Sequence, residues 1–152
     1  MPSVLFVCTA NLCRSPMAMA ILRSKVEHSS EEWRIESAGT WAVEGVRTNS
    51  KTQQVMTENG LDISDHLSQI VSAELLRSFN LILTMEPGHK EALQIEFPEV
   101  ARRVYLLSEM IGMTFMIIDP VGGEIDEYRV TAREIDRIIS DGFDKIANLA
   151  KT

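Results

Sequence analysis

Short apolar runs alternate with helix-length stretches along this chain, and that alternation constrains its fold more than any single residue does. Ser3–Val7 is a continuous apolar run suited to a buried strand, and a helix follows almost at once to about His28, with Ser15 placed to cap it and Pro16 suited to its first turn. Trp33–Ser37, Leu81–Met85 and Val104–Leu107 have the same strand character. Helices fit Lys51–Asn59, stopped by Gly60, then Ser72–Arg77, and a segment that Pro87 opens and Pro98 ends. A last helix spans Asp126–Leu149, with Ile135, Ile138, Ile139, Phe143, Ile146 and Leu149 largely on one face. This order predicts a single α/β domain over residues 1–152, built on a four-stranded parallel sheet flanked by helices on both faces. Ligands of such open sheets bind outside the carboxyl ends of the strands, where the loop after Val7 must lie.

Composition narrows the partners. Hydrophobic residues make up 45% and charged residues 24% of the chain, which argues against disorder. Twenty-two acidic against 15 basic residues give a net charge of −7, a surface unsuited to nucleic acid or anionic membrane. An anionic substrate must then be gripped by a local concentration of donors. The two cysteines, Cys8 and Cys13, are too few for a disulfide scaffold and lack the four-ligand spacing of a zinc site, so a reducing cytoplasm and no metal are expected. No apolar run reaches the roughly 18–20 residues that span a bilayer, and no charged leader precedes the first strand.

Both cysteines fall in the first strand-to-helix turn, Cys8-Thr9-Ala10-Asn11-Leu12-Cys13-Arg14-Ser15. A loop entering a helix N-terminus turns several backbone N–H groups inward and adds the positive end of the helix dipole, making a cradle for a phosphate dianion. Arg14 would close that cradle with a planar fork matched to two phosphate oxygens. The same positive field suits a sulfur anion at Cys8, able to attack phosphorus from within the ring of donors, and Ser15 is placed to donate a hydrogen bond to it. Downstream, Asp119-Pro120-Val121-Gly122-Gly123 reads from its residues equally well as an ordinary turn or as the carrier of a proton donor.

The segment "VCTANLCRSP", together with "ESAGT" at 36–40, "SDH" at 64–66, "LILTME" at 81–86 and "DPVG" at 119–122, resembles the low-molecular-weight protein tyrosine phosphatase family over nearly the whole chain. That resemblance implies a flavodoxin-like sheet and a hydrolase of phosphorylated proteins or small aryl phosphates that uses no cofactor. It implies Cys8 as nucleophile, Arg14 as phosphate ligand and Asp119 as general acid and base. Thr9, Ala10, Asn11, Leu12, Cys13 and Ser15 then form the phosphate loop, with Ser37 and His66 in its supporting hydrogen-bond network. Leu12, Trp41 and Val121 are candidates for the substrate cleft, although Trp41 also fits simple packing.

Several positions depart from the family's pattern. Ala10 replaces a usual glycine, which would strain the loop if that residue needs a positive φ. Val121 replaces an aromatic residue that flanks the phosphotyrosine ring, and Asn80 and Glu86 stand where aspartates are usual. The apolar segment Met110–Ile118 reads as core rather than as an adaptable lip. Two other functions use the same residues: an inert phosphate- or phosphopeptide-binding module, and an arsenate reductase coupled to a small thiol. A monomer or weak homodimer is expected, and a reversible Cys8–Cys13 disulfide would shield the nucleophile from over-oxidation.

Overall fold

A computed structural model describes residues 1–151; Thr152, the last residue of the expected domain, lies outside them. Strand β1 (Ser3–Cys8) is central and fully buried. It pairs in parallel with β2 (Arg34–Gly39) on one side and β3 (Leu81–Thr84) on the other, and β3 pairs in parallel with β4 (Val104–Leu106). The strand order is therefore β2-β1-β3-β4. The chain reverses its direction of travel across the sheet between β1 and β3, which makes the carboxyl edge of these two strands the natural binding crevice.

The period-two alternation of β1 divides the core. Val4, Phe6 and Cys8 join the layer containing α1 (Arg14–Val26), α2 (Ser50–Glu58), α5 (Ile125–Asp141) and α6 (Phe143–Ala150). Leu5 and Val7 join the opposite layer, with Leu76 of α3 (Ala73–Arg77) and Leu93 of α4 (Pro87–Glu96). Helix starts follow local chemistry. The Asn49 side chain accepts from Thr52 N to cap α2, Ser72 caps α3 in the same way, and Pro87 occupies the first turn of α4.

Three expected elements differ. The last helix is broken at Gly142 into α5 and α6, and Met110 packs so closely there that a Cβ on Gly142 would lie 2.8 Å from the Met110 Cβ. Strand β4 ends at Leu106, and Leu107 begins a 3-10 turn through Ile111. Strand β2 begins at Arg34, leaving Trp33 outside it and tilted against Phe143 at 6.0 Å. Asn80 ties down the terminal helix through a 2.7 Å bond from its Nδ2 to the Ala150 carbonyl. No described helix is long and apolar enough to cross a membrane.

Candidate active site

The loop between β1 and α1 leaves the sheet at Cys8, the carboxyl end of the central strand. Helix α1 starts at Arg14 with Cys13 in the capping position and no side-chain cap, so it begins earlier than a Ser15 cap would place it. The Ser15 hydroxyl is engaged elsewhere: its Oγ lies 2.9 Å from Cys8 Sγ and accepts a 2.8 Å bond from Asn11 Nδ2. The first-turn N–H groups of α1 are thus left without a side-chain partner beside the sulfur, the arrangement that attracts an anion.

Asn11 organises the loop. Its Nδ2 also donates to Ser37 Oγ at 2.9 Å, its Oδ1 accepts from Gln69 N at 3.0 Å, and its carbonyl meets His66 Nε2 at 3.1 Å. The structure thus brings Ser37 and His66 to Asn11, together with Gln69, which no sequence motif pointed to. Asn11 is also the one non-glycine residue with positive φ among the described residues, at 60°. The strain expected at Ala10 is absent, since the left-handed position falls on a residue type that tolerates it. The tight glycine requirement lies instead at Gly39, where a Cβ would come within 2.4 Å of the Thr9 carbonyl oxygen.

Arg14 is only 2% exposed. Its Nη1 donates to the Ile117 carbonyl at 2.6 Å and pairs with Glu86 Oε2 at 2.6 Å. Both bonds hold the guanidinium through Nη1, and Nη2 lies 3.7 Å from Asp119 Oδ2. Asp119 is 44% exposed, and its Oδ1 accepts from Val121 N at 3.1 Å, so the turn is formed and it sets the carboxylate beside Arg14. Glu86 was noted in the sequence only as a substitution. Its place just after β3, on the same sheet edge as Cys8, is the signal that points to it.

The rim is looser. Trp41 exposes 83% of its surface, although its backbone N–H bonds the Thr9 carbonyl at 2.9 Å; it does not pack into the core. Leu12 is half-buried and Val121 is exposed. The core reading of Met110–Ile118 holds for Met110 and Ile117, which are buried, and for Ile111 and Phe115, which are partly buried against the core, whereas Met113, Met116 and Ile118 are exposed. This segment runs beside β3, where Ile117 N bonds the Met85 carbonyl at 2.8 Å, and so carries Asp119 to the edge of the site.

Burial pushes the Cys13 thiol up to about 12, with the nearby Thr52 side chain acting in the opposite sense. Both cysteines are free thiols. Behind the loop, a cavity of about 770 Å³ is lined by Ser37, His66 and Gln69 together with Arg23, Glu36 and Asp62.

Comparison with known proteins agrees with this architecture. The protein-arginine-phosphatase of Geobacillus stearothermophilus is 34% identical, covering 94% of this chain and 95% of its own. The crystal structure of the low molecular weight protein tyrosine phosphatase from T. tengcongensis superposes with a TM-score of 0.90 at 36% identity, covering 95% of this chain and 99% of that one. A structure of the YwlE arginine phosphatase, a mutant with a phosphorylated active site serine, superposes with a TM-score of 0.88 at 30% identity, covering 94% and 93%. The model of the low molecular weight phosphotyrosine protein phosphatase matches residues 3–151, and the chain belongs to that family.

Proposed function

We propose that this protein hydrolyses phosphotyrosine in protein substrates, and small aryl phosphates, through a phosphocysteine on Cys8. The observation that carries the reading is the grouping around one sulfur: Cys8 Sγ 2.9 Å from Ser15 Oγ, at the uncapped start of α1, with a buried Arg14 held by Glu86 and Ile117. In the first step the sulfur attacks phosphorus, an S–P bond forms and the P–O bond to the leaving group breaks. Asp119 gives its proton to the departing oxygen. In the second step Asp119 takes a proton from water, the water oxygen bonds phosphorus, and the S–P bond breaks to return the sulfur anion and inorganic phosphate.

Arg14 and the loop amides carry the growing negative charge in both steps. Ser15 accepts from Asn11, so its single proton is free for the Cys8 sulfur at 2.9 Å, a shorter reach than the 3.4 Å to the Ala38 carbonyl. That bond favours the sulfur as a leaving group when phosphocysteine is hydrolysed. The phosphorylated serine named for the YwlE mutant supports a covalent route of this kind.

Leu12 favours an aromatic phosphate, being an aliphatic residue on the loop. A second reading, phosphoarginine, is favoured by the relatives named protein-arginine-phosphatase in Geobacillus stearothermophilus and Bacillus subtilis, and by the missing aromatic wall at Val121. Turnover of phosphotyrosine and phosphoarginine peptides, compared as kcat/KM, separates the two. The chemistry itself is tested with p-nitrophenyl phosphate in chelator. Hydrolysis that disappears in Cys8→Ser is expected, and persistence of the rate in that variant would overturn the nucleophile assignment.

A further inference from the structure

We infer that His89 is a positioning residue of the phosphate loop, donating from Nε2–H to the Thr9 hydroxyl and thereby fixing the chain next to Cys8. This rests on the reading above and extends it to a residue that no motif singled out. His89 lies in the first turn of α4 and is 8% exposed, so its ring nitrogens depend on partners inside the protein. Its Nε2 is 2.9 Å from Thr9 Oγ1, whereas Nδ1 is buried with no hydrogen-bond partner among the described residues.

That asymmetry selects the tautomer. A proton on Nδ1 would be a buried N–H without an acceptor, a rarer and more damaging defect than an unused lone pair. The proton therefore sits on Nε2 and goes to Thr9 Oγ1, and the exposed Thr9 keeps its own hydroxyl proton for an acceptor in solvent or substrate. The main chain of Thr9 is held separately, its carbonyl accepting from Trp41 N at 2.9 Å and lying against Gly39. The side chain is the remaining handle, and His89 holds it.

One helical turn then grips both ends of the loop. Three residues before His89, Glu86 pairs with Arg14, the residue that closes the loop, while His89 holds the residue that follows Cys8. The charged groups facing the ring are Glu86 at the cap of its own helix, Arg14 from α1 and Asp119 from the segment before α5. Glu96, further along α4, lines with His89 and Trp41 a cavity of about 230 Å³. Burial is the largest influence and keeps the ring below its ordinary 6.5 despite Glu86 and Asp119, in accord with a neutral donor.

Long-range nitrogen–proton correlation spectra of the wild-type protein near neutral pH read the tautomer directly, with no variant and no turnover. A neutral His89 ring carrying its proton on Nε2 is expected, and a proton on Nδ1 would refute the assignment. Vanadate affinity and kcat test the consequence. His89→Ala and Thr9→Val should each weaken vanadate binding and lower kcat about fivefold, and the double variant should lose no more than either alone. His89→Gln, whose amide N–H reaches the place of Nε2, should recover most of the loss. Additive losses, or a Gln variant as impaired as the Ala variant, would overturn the inference. If the wild-type protein proves inactive, the phosphatase reading fails, yet the spectra and vanadate binding still decide the role of His89.

Discussion

The phosphate loop and the rim around it are built on different principles. Within the loop nearly every polar side chain is engaged: that of Asn11 bonds Ser15, Ser37 and Gln69 while its carbonyl meets His66, and Arg14 makes two bonds from a single nitrogen. The rim presents Trp41, Ile118 and Val121 to solvent, and the acid candidate Asp119 stands there with one turn hydrogen bond and Arg14 Nη2 at 3.7 Å. A pre-organised interior stabilises charge without rearranging at the moment of reaction, whereas an adaptable apolar edge selects what enters. Two departures from the family's pattern fall on either side of this divide. Ala10 causes no strain in the loop, and Val121 stands exposed on the rim.

That contrast is broken most severely at Asn11. Asn11→Ala removes the side-chain bonds to Ser15, Ser37 and Gln69 and places alanine at positive φ, so a loss of about 3 kcal/mol of stability is expected by denaturant titration, with activity against every substrate falling together. A variant that melts normally and keeps its kcat would show the loop to be far less interdependent.

On the rim, Asp119→Ala should leave stability almost unchanged and slow poor leaving groups about 100-fold, while good leaving groups slow much less. Equal slowing of both would remove Asp119 from the acid role. The dependence on leaving-group quality is read from kcat across a series of substituted phenyl phosphates.

A smaller effect comes from the two histidines behind the loop. Burial holds His66 and His89 below the usual 6.5, so the unfolded chain takes up their protons more readily than the folded one. Stability is then greatest above about 6.5 and declines as pH falls toward the depressed values of the folded state. Melting temperatures between neutral and mildly acidic pH should show this decline, and His66→Gln should flatten part of it. Carboxylates such as Glu58, held down to about 2 by Arg129, add their own loss only at still lower pH.

The smallest change is expected from Trp41→Ala, which should raise KM for aryl phosphates severalfold and leave vanadate affinity intact. Equal weakening of both would place Trp41 inside the loop's support instead of at the substrate edge.

Much of the site was legible in the residues because its chemistry is local. Strand, turn and helix start are contiguous from Ser3 to Val26, and the backbone amides and helix dipole follow from that order. The misreadings arise where the fold brings in a partner that the local pattern does not name. A hydroxyl residue near a helix start looks like a cap until its oxygen is claimed by a sulfur seven residues back, as at Ser15. Apolar spacing continues through Gly142 although the helix does not, and the contact that leaves no room for a side chain there comes from Met110, elsewhere in the chain.

The chain's own order of strands, turns and helix starts determined the parallel sheet, the crevice at its carboxyl edge, and the placing of Cys8, Arg14 and Ser15 around one point. Only the tertiary structure decided what holds them: Glu86 and the Ile117 carbonyl on Arg14, Gln69 on Asn11, His89 on Thr9, and the bare Cα of Gly39 beneath the loop. The Arg14–Ile117 bond joins residues 103 positions apart. Partners at such separations leave no periodic trace in sequence, because a buried donor requires an acceptor in space and is indifferent to which segment supplies it.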